Sequence, residues 1–313
     1  MIEIILYLVG GLVIMLLGAE GLVRGASALA LRIGISPLVV GLTVVAFGTS
    51  SPELVVSIGS AIDGNSDIAI GNVIGSNISN IALILGITAL INPIKVNVLL
   101  IKREIPIMIG VTVVFLLFFY DLSLSRLEGI LLFAGIIVYT VVSYKLSKNE
   151  KRETELEFEK EIPKATGNLL KSILMVFFGL IFLALGSKLF VDGAIEVALM
   201  LNISQVIIGL TIVAVGTSLP ELITSVVAAI KKEGDIAIGN VVGSNIFNLL
   251  SILGLTAIIY PITAESISIL DLGMFSLTAL IMLPLSRTGF ILNRIEGAIL
   301  IGIYVTYIYF LIP

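Results

Sequence analysis

Two glutamates, Glu53 and Glu221, sit in the middle of stretches that are otherwise almost wholly apolar. A carboxylate near the centre of a bilayer costs a few kcal/mol, so it needs a partner. No Lys or Arg lies at matching depth, which removes the ion-pair explanation. The surroundings favour a bound cation over a protonated acid. Thr49 and Ser50 precede Glu53 by four and three residues, on one helix face, and Thr217 and Ser218 repeat this before Glu221. Pro52 and Pro220 each delete a backbone donor and expose carbonyls one turn back, near Gly48 and Gly216. A lone Thr or Ser would be read as bonding back to its own helix. Two matching clusters beside the deepest acids are read as ligands.

A second polar pair of segments reads GNVIGSNISN (71–80) and GNVVGSNIFN (239–248). Gly71 and Gly75, like Gly239 and Gly243, form GxxxG ridges that let another helix approach closely. That packing role leaves Ser76, Asn77 and Asn80, with Ser244, Asn245 and Asn248, unexplained. Interhelical hydrogen bonding is one use for the amides, and oxygen ligation is the other. The chain contains no Cys and no His, so thiolate and imidazole chemistry is absent and no base would activate a serine. An enzyme is not expected. The remaining inventory is hard oxygen, which suits calcium at about six to eight ligands, or sodium, better than magnesium. One calcium ion or two sodium ions would neutralise the two carboxylates.

The elements that position these groups are membrane helices. Of 313 residues, 58% are hydrophobic and 13% are charged, which excludes an ordinary soluble domain. Apolar spans fall near 3–22, 36–61, 68–91, 105–120, 127–144, 169–190, 204–230, 236–259, 267–285 and 293–312, with a polar linker at 146–168. The loops after the odd-numbered spans hold 16 of the 18 Lys and Arg residues, so the central loop is expected in the cytoplasm and both termini outside. The net charge of −4 forms no basic stripe, and nucleic acid is not an expected partner.

Residues 41–57 match 209–225 at 12 of 17 positions, and 67–80 match 235–248 at 12 of 14, all at an offset of 168, so the chain is a duplication. Each half, 1–145 and 169–313, carries five spans. An odd number turns the second half over in the membrane. The expected fold is therefore an all-α membrane protein of ten transmembrane helices, arranged as two inverted five-helix repeats.

GTSSPE (48–53) and GTSLPE (216–221), together with the two GN(V)xGSN segments, resemble the two alpha-repeats of the cation/calcium exchanger superfamily. The likeness is greatest to the prokaryotic sodium/calcium exchangers and covers nearly the whole chain. It implies an antiporter in the cell membrane that exchanges calcium for sodium by alternating access, without a cofactor. The alternatives are a calcium/proton antiporter and a potassium-dependent exchanger. It further implies that Glu53, Glu221, Thr49 and Thr217 hold calcium, the threonines through their carbonyls. Sodium would use Ser50, Ser76, Ser218 and Ser244, the carbonyl of Ala46 or Ala214, and the same two glutamates. Asn80 and Asn248 form the central polar pair, and spans 1 and 6 slide together. No protein partner is implied, and a monomer would suffice. Asn248 departs from the pattern, since an Asp is common there. Glu20 and Arg24 stand at the same offset from Lys188 and Asp192, each an i,i+4 pair of opposite charge.

Overall fold

A computed structural model describes residues 2–157, 168–201, 214–264 and 266–311. It is mostly helical, because backbone groups in hydrocarbon must bond within their own segment. The first half comprises α1 (Ile2–Ile33), α2 (Pro37–Thr49), α3 (Ser51–Ile62), α4 (Ser66–Ile91), strand β1 (Ile94–Lys95), α5 (Ile105–Phe118), β2 (Ser123–Leu124) and α6 (Arg126–Glu157). The second comprises α7 (Leu169–Met200), α8 (Ala214–Thr217), α9 (Leu219–Ile230), α10 (Gly234–Ile259), β3 (Ile262–Thr263), α11 (Ile269–Arg287), β4 (Ile291–Leu292) and α12 (Arg294–Leu311).

Among the described residues, seven helices are each long and apolar enough to cross a membrane. The pair α2 and α3, bent by 45°, is apolar enough to count as an eighth if the two together make one broken span. The chain is an integral membrane protein.

Several boundaries differ from those expected. α1 and α7 each run for 32 residues, well past the expected ends at 22 and 190. Such helices are ~48 Å long against a hydrocarbon core of ~30 Å, so they tilt or project beyond it, whereas hydropathy marks only the slab. A π-helical turn, Leu100–Glu104, precedes α5, so that helical segment starts before residue 105. The linker expected at 146–168 begins as helix, because α6 continues unbroken to Glu157. The Glu, Lys and Arg of this stretch are good helix formers. Residues 158–167 lie outside the described set.

The offset of 168 recurs in the backbone. β1 and β2 reappear as β3 and β4, α3 as α9, and the π-helical turn Asn80–Leu85 within α4 as Asn248–Leu253 within α10. Leu122 and Phe290 both adopt left-handed backbone, at φ 58° and 55°. Contacts between halves are reciprocal, as across a twofold axis: β1 pairs antiparallel with β4, and β2 with β3. The loops gather at two ends. At one, Asn92 donates to the Ala229 carbonyl and Ser36 N donates to Ser147 Oγ (3.0 Å). At the other, Ser266 N and Oγ donate to Asp67 (2.9 and 3.0 Å).

α4 and α10 form the buried centre. A Cβ on Gly239 or Gly243 would stand 2.9 Å from Leu38 O or 2.6 Å from Leu42 O, so this glycine ridge receives α2 as expected. The matching partner of Gly71 and Gly75, near 206–210, lies outside the described residues. α1 and α7 cross through Gly11, Gly18 and Gly25 facing Gly186, Gly179 and Ser172.

Glu104, fully buried, was not apparent as a deep acid because it falls at the edge of an apolar stretch. Both its oxygens are satisfied, Oε1 by Arg103 Nε (2.6 Å) and Oε2 by Tyr139 OH (2.9 Å). Asp271 is held likewise by Tyr307 OH (2.8 Å) and Ser268. These are structural carboxylates. Tyr139→Phe is expected to cost about 1–3 kcal/mol by leaving Glu104 Oε2 without its donor. Thermal unfolding in detergent would read this as a lower Tm, and an unchanged Tm would contradict it.

Candidate cation site

The chain breaks helical geometry at Ser50 (φ −81°, ψ 6°) and at Ser218 (φ −89°, ψ 5°), two residues before Pro52 and Pro220. The freed carbonyl of Gly216 accepts a hydrogen bond from Ser187 Oγ on α7 (2.8 Å). The position matching Ser187 is Ala19, which has no hydroxyl to offer Gly48. Each break lifts its serine side chain across to the glutamate of the other half. Ser50 Oγ donates to Glu221 Oε1 (2.9 Å), and Ser218 Oγ donates to Glu53 Oε1 (3.1 Å). Ser244 Oγ reaches Glu221 Oε1 at 3.5 Å, and Ser76 Oγ lies 3.4 Å from Ser218 Oγ. The two glutamates, both 1% exposed, therefore share one site with the four serines singled out from the sequence.

The asparagines close the centre by the same reciprocity. Asn80 Nδ2 donates to Asn245 Oδ1 (3.0 Å) and Asn248 Nδ2 to Asn77 Oδ1 (2.9 Å). Each of these donors begins a π-helical turn, a local widening that recurs at functional sites. Their amide nitrogens are thus committed and their oxygens are not. Among the described residues, the buried carboxylate and amide oxygens that accept no hydrogen bond from the protein are Glu53 Oε2, Glu221 Oε2, Asn80 Oδ1 and Asn248 Oδ1. An unsatisfied buried acceptor is costly, and four of them in twofold-related positions are the complement of a cation. Glu104, with both oxygens bonded, marks the contrast.

The Thr49 hydroxyl is already engaged. Thr49 Oγ1 bonds Asn240 Oδ1 (3.0 Å) and the Ala46 carbonyl (3.3 Å), so a contribution from Thr49 to an ion would come from its backbone. The Ala46 carbonyl also accepts from Ser50 N (3.0 Å), whereas Ser218 N bonds the Val215 carbonyl (3.1 Å). Thr217 has a polar partner of its own. The side chain of Ala214 lies outside the described set.

Two residues escaped the sequence reading. Asn240 Nδ2 donates to the Glu221 carbonyl (3.4 Å) and Ser225 Oγ (3.1 Å). Asn72 does the same to the Glu53 carbonyl (3.2 Å) and Ser57 Oγ (2.9 Å). They clamp each glutamate-bearing turn to the neighbouring helix. Their signal was present, an amide at the same place in both GN motifs. No group of three or more acidic, Cys or His side chains suited to a metal occurs among the described residues, in keeping with Asn at position 248.

A polytopic helical protein with a twofold-related cage of buried oxygens between its halves has the make-up of an ion carrier. The family model for the sodium/calcium exchanger protein matches residues 3–145 and 171–312. The chain is 41% identical over 312 residues to the putative antiporter CaxA of Alkalimonas amylolytica, covering 98% of both. It is 36% identical to the sodium/calcium exchanger MaX1 of Methanosarcina acetivorans, covering 97% of both. Solved structures of the sodium-calcium exchanger NCX_Mj superpose with a TM-score of 0.86 at 32% identity, over 99% of this chain and 98% of that one. The chain belongs to the sodium/calcium exchanger family.

Proposed function

We propose that this protein is a secondary antiporter that exchanges calcium for sodium by alternating access, with both ions competing for the oxygens of Glu53 and Glu221. The observation that carries this reading is the set of four unbonded oxygens, two carboxylate and two amide, buried between the halves. Calcium is held by Glu53, Glu221 and the carbonyls of Thr49 and Thr217. Sodium takes the flanks, through Ser50, Ser76, Ser218 and Ser244. The carbonyl of Ala46 or Ala214 adds a further oxygen to the sodium sites. Asn80 and Asn248 close the middle. The protein works without a cofactor.

In this reading the halves 1–145 and 169–313 are inverted five-span repeats joined by 146–168, with α5, α9 and the segment leading to α9 completing ten spans. The reciprocal contacts at offset 168 support it, as does the sorting of loops to two ends. The basic loops put the end bearing β1 and β4 in the cytoplasm and both termini outside.

Two carboxylates balance one calcium or two sodium ions, and a third sodium would leave a net positive charge in a low-dielectric site. Removing both flank hydroxyls, Ser50→Ala with Ser218→Ala, is expected to raise the sodium concentration for half-maximal exchange about fivefold or more, since bonds to charged groups are the stronger kind. Calcium affinity is expected to change less, because the carboxylates remain. Sodium titration of calcium uptake in liposomes tests this. An equal loss for both ions would remove the serines from the sodium sites.

A further inference from the structure

The charges at the rim of the α1–α7 pair reverse sign between the halves. Glu20, Arg24 and Lys231 correspond, at the offset of 168, to Lys188, Asp192 and Asp63. Every position is charged in both halves, and each charge is opposite to its counterpart.

Only one of the two triads is assembled. Glu20 Oε1 accepts from Arg24 (2.5 Å) on its own helix and from Lys231 Nζ (2.9 Å) at the end of α9. Ser27 Oγ adds a bond to Glu233 (3.0 Å) beside it. α1 packs along α9 throughout this region, whereas its counterpart α7 makes almost no contact with α3. Lys188 and Asp63 are both exposed, and among the described residues neither forms an ion pair. The α1–α7 pair therefore sits displaced toward the end that holds Lys231.

The close glycine contacts between α1 and α7 make the two helices one body, so Glu20 and Lys188 move together. Twofold-related halves have two related arrangements, and what α1 does to α9 in one, α7 does to α3 in the other. Applied to the assembled triad, the exchange of roles carries Lys188 onto Asp63.

We propose that Lys188 and Asp63 form a second latch, made when the α1–α7 pair slides to the opposite end and the Glu20–Lys231 bridge opens. This inference rests on the alternating-access reading. Residues 20 and 231 shut one side, and residues 63 and 188 shut the other. Because one bridge forms as the other breaks, the two access states keep comparable energy, which a reversible carrier needs. Ser27–Glu233 has no counterpart, since the matching residues are Ile195 and Asn65, and so favours the present state.

The chain's lack of cysteine makes a direct test simple. Lys188→Cys with Asp63→Cys, in the full chain in liposomes, is treated with a short thiol cross-linker during exchange. A cross-link should form and cut calcium uptake at least about tenfold, with recovery on cleavage of the linker. Independently, Lys188→Asp or Asp63→Lys alone should slow exchange about two- to fivefold, the scale of one exposed ion pair. The two together should restore it within about twofold. If the parent chain exchanges calcium for sodium, yet no cross-link forms under any ionic condition and the double reversal is no better than the singles, the latch is wrong and the exchanger stands. If the parent does not exchange, both fall.

Discussion

Glu53→Gln and Glu221→Gln are each expected to abolish calcium exchange, lowering uptake at least about a hundredfold, while the protein still folds. Each glutamate offers one oxygen to a serine of the other half and leaves the second, Oε2, buried and unbonded. Glutamine keeps the shape and one acceptor but removes half of the negative charge that balances a divalent ion. Breaking a buried charge pair by neutralising one partner costs about 3–5 kcal/mol, or roughly two to four orders of magnitude in affinity. Without calcium the fold loses nothing comparable, because neither carboxylate has a cationic partner among the described residues. The expected signature is therefore a normal elution profile, an unchanged Tm in chelator, and the loss of the Tm rise that calcium produces in the parent. A variant that retained full calcium transport would remove its glutamate from the site.

The second large effect is on assembly. Gly18→Val would place a Cβ 2.8 Å from Gly179 O and from Leu183 N, and 2.9 Å from Phe182 Cβ. A Cβ on Gly179 would likewise stand 2.7 Å from Leu22 N. The obstacles are backbone atoms of the facing helix, so rotamer changes cannot relieve them and the helices must separate. Overpacking of this kind costs about 3 kcal/mol or more, and in a membrane close contact between small residues is the main force holding such a pair. The variant is expected to lose most of its folded yield. Gly302→Val, on α12, has no neighbour within 4 Å among the described residues and should fold normally. Size-exclusion profiles of the two variants, expressed side by side, check the contrast, and equal yields would contradict it.

The site was legible in the sequence because ionisable groups in apolar spans are rare and because this pattern occurs twice. The same duplication explains why pairings between the halves recur at an offset of 168. Asn72 and Asn240 were less visible, since an amide in a glycine-rich motif looks like packing until its bonds to the glutamate carbonyls are seen. Glu104 and Asp271 were hidden by their positions near helix ends, where hydropathy does not separate burial from solvent. Helix lengths were underestimated because the apolar window reports membrane thickness, not where hydrogen bonding stops. The pairing of Glu20 with Arg24 could be read from spacing. Its bridge to Lys231, 211 residues away, could not.

The most direct test of the central claim is calcium uptake into sodium-loaded proteoliposomes diluted into medium free of sodium and potassium, with Glu53→Gln alongside. Uptake should require internal sodium and be absent from the variant. Uptake driven by an internal acid load without sodium would contradict it, making the protein a calcium/proton antiporter and removing Ser50, Ser76, Ser218 and Ser244 from any sodium site.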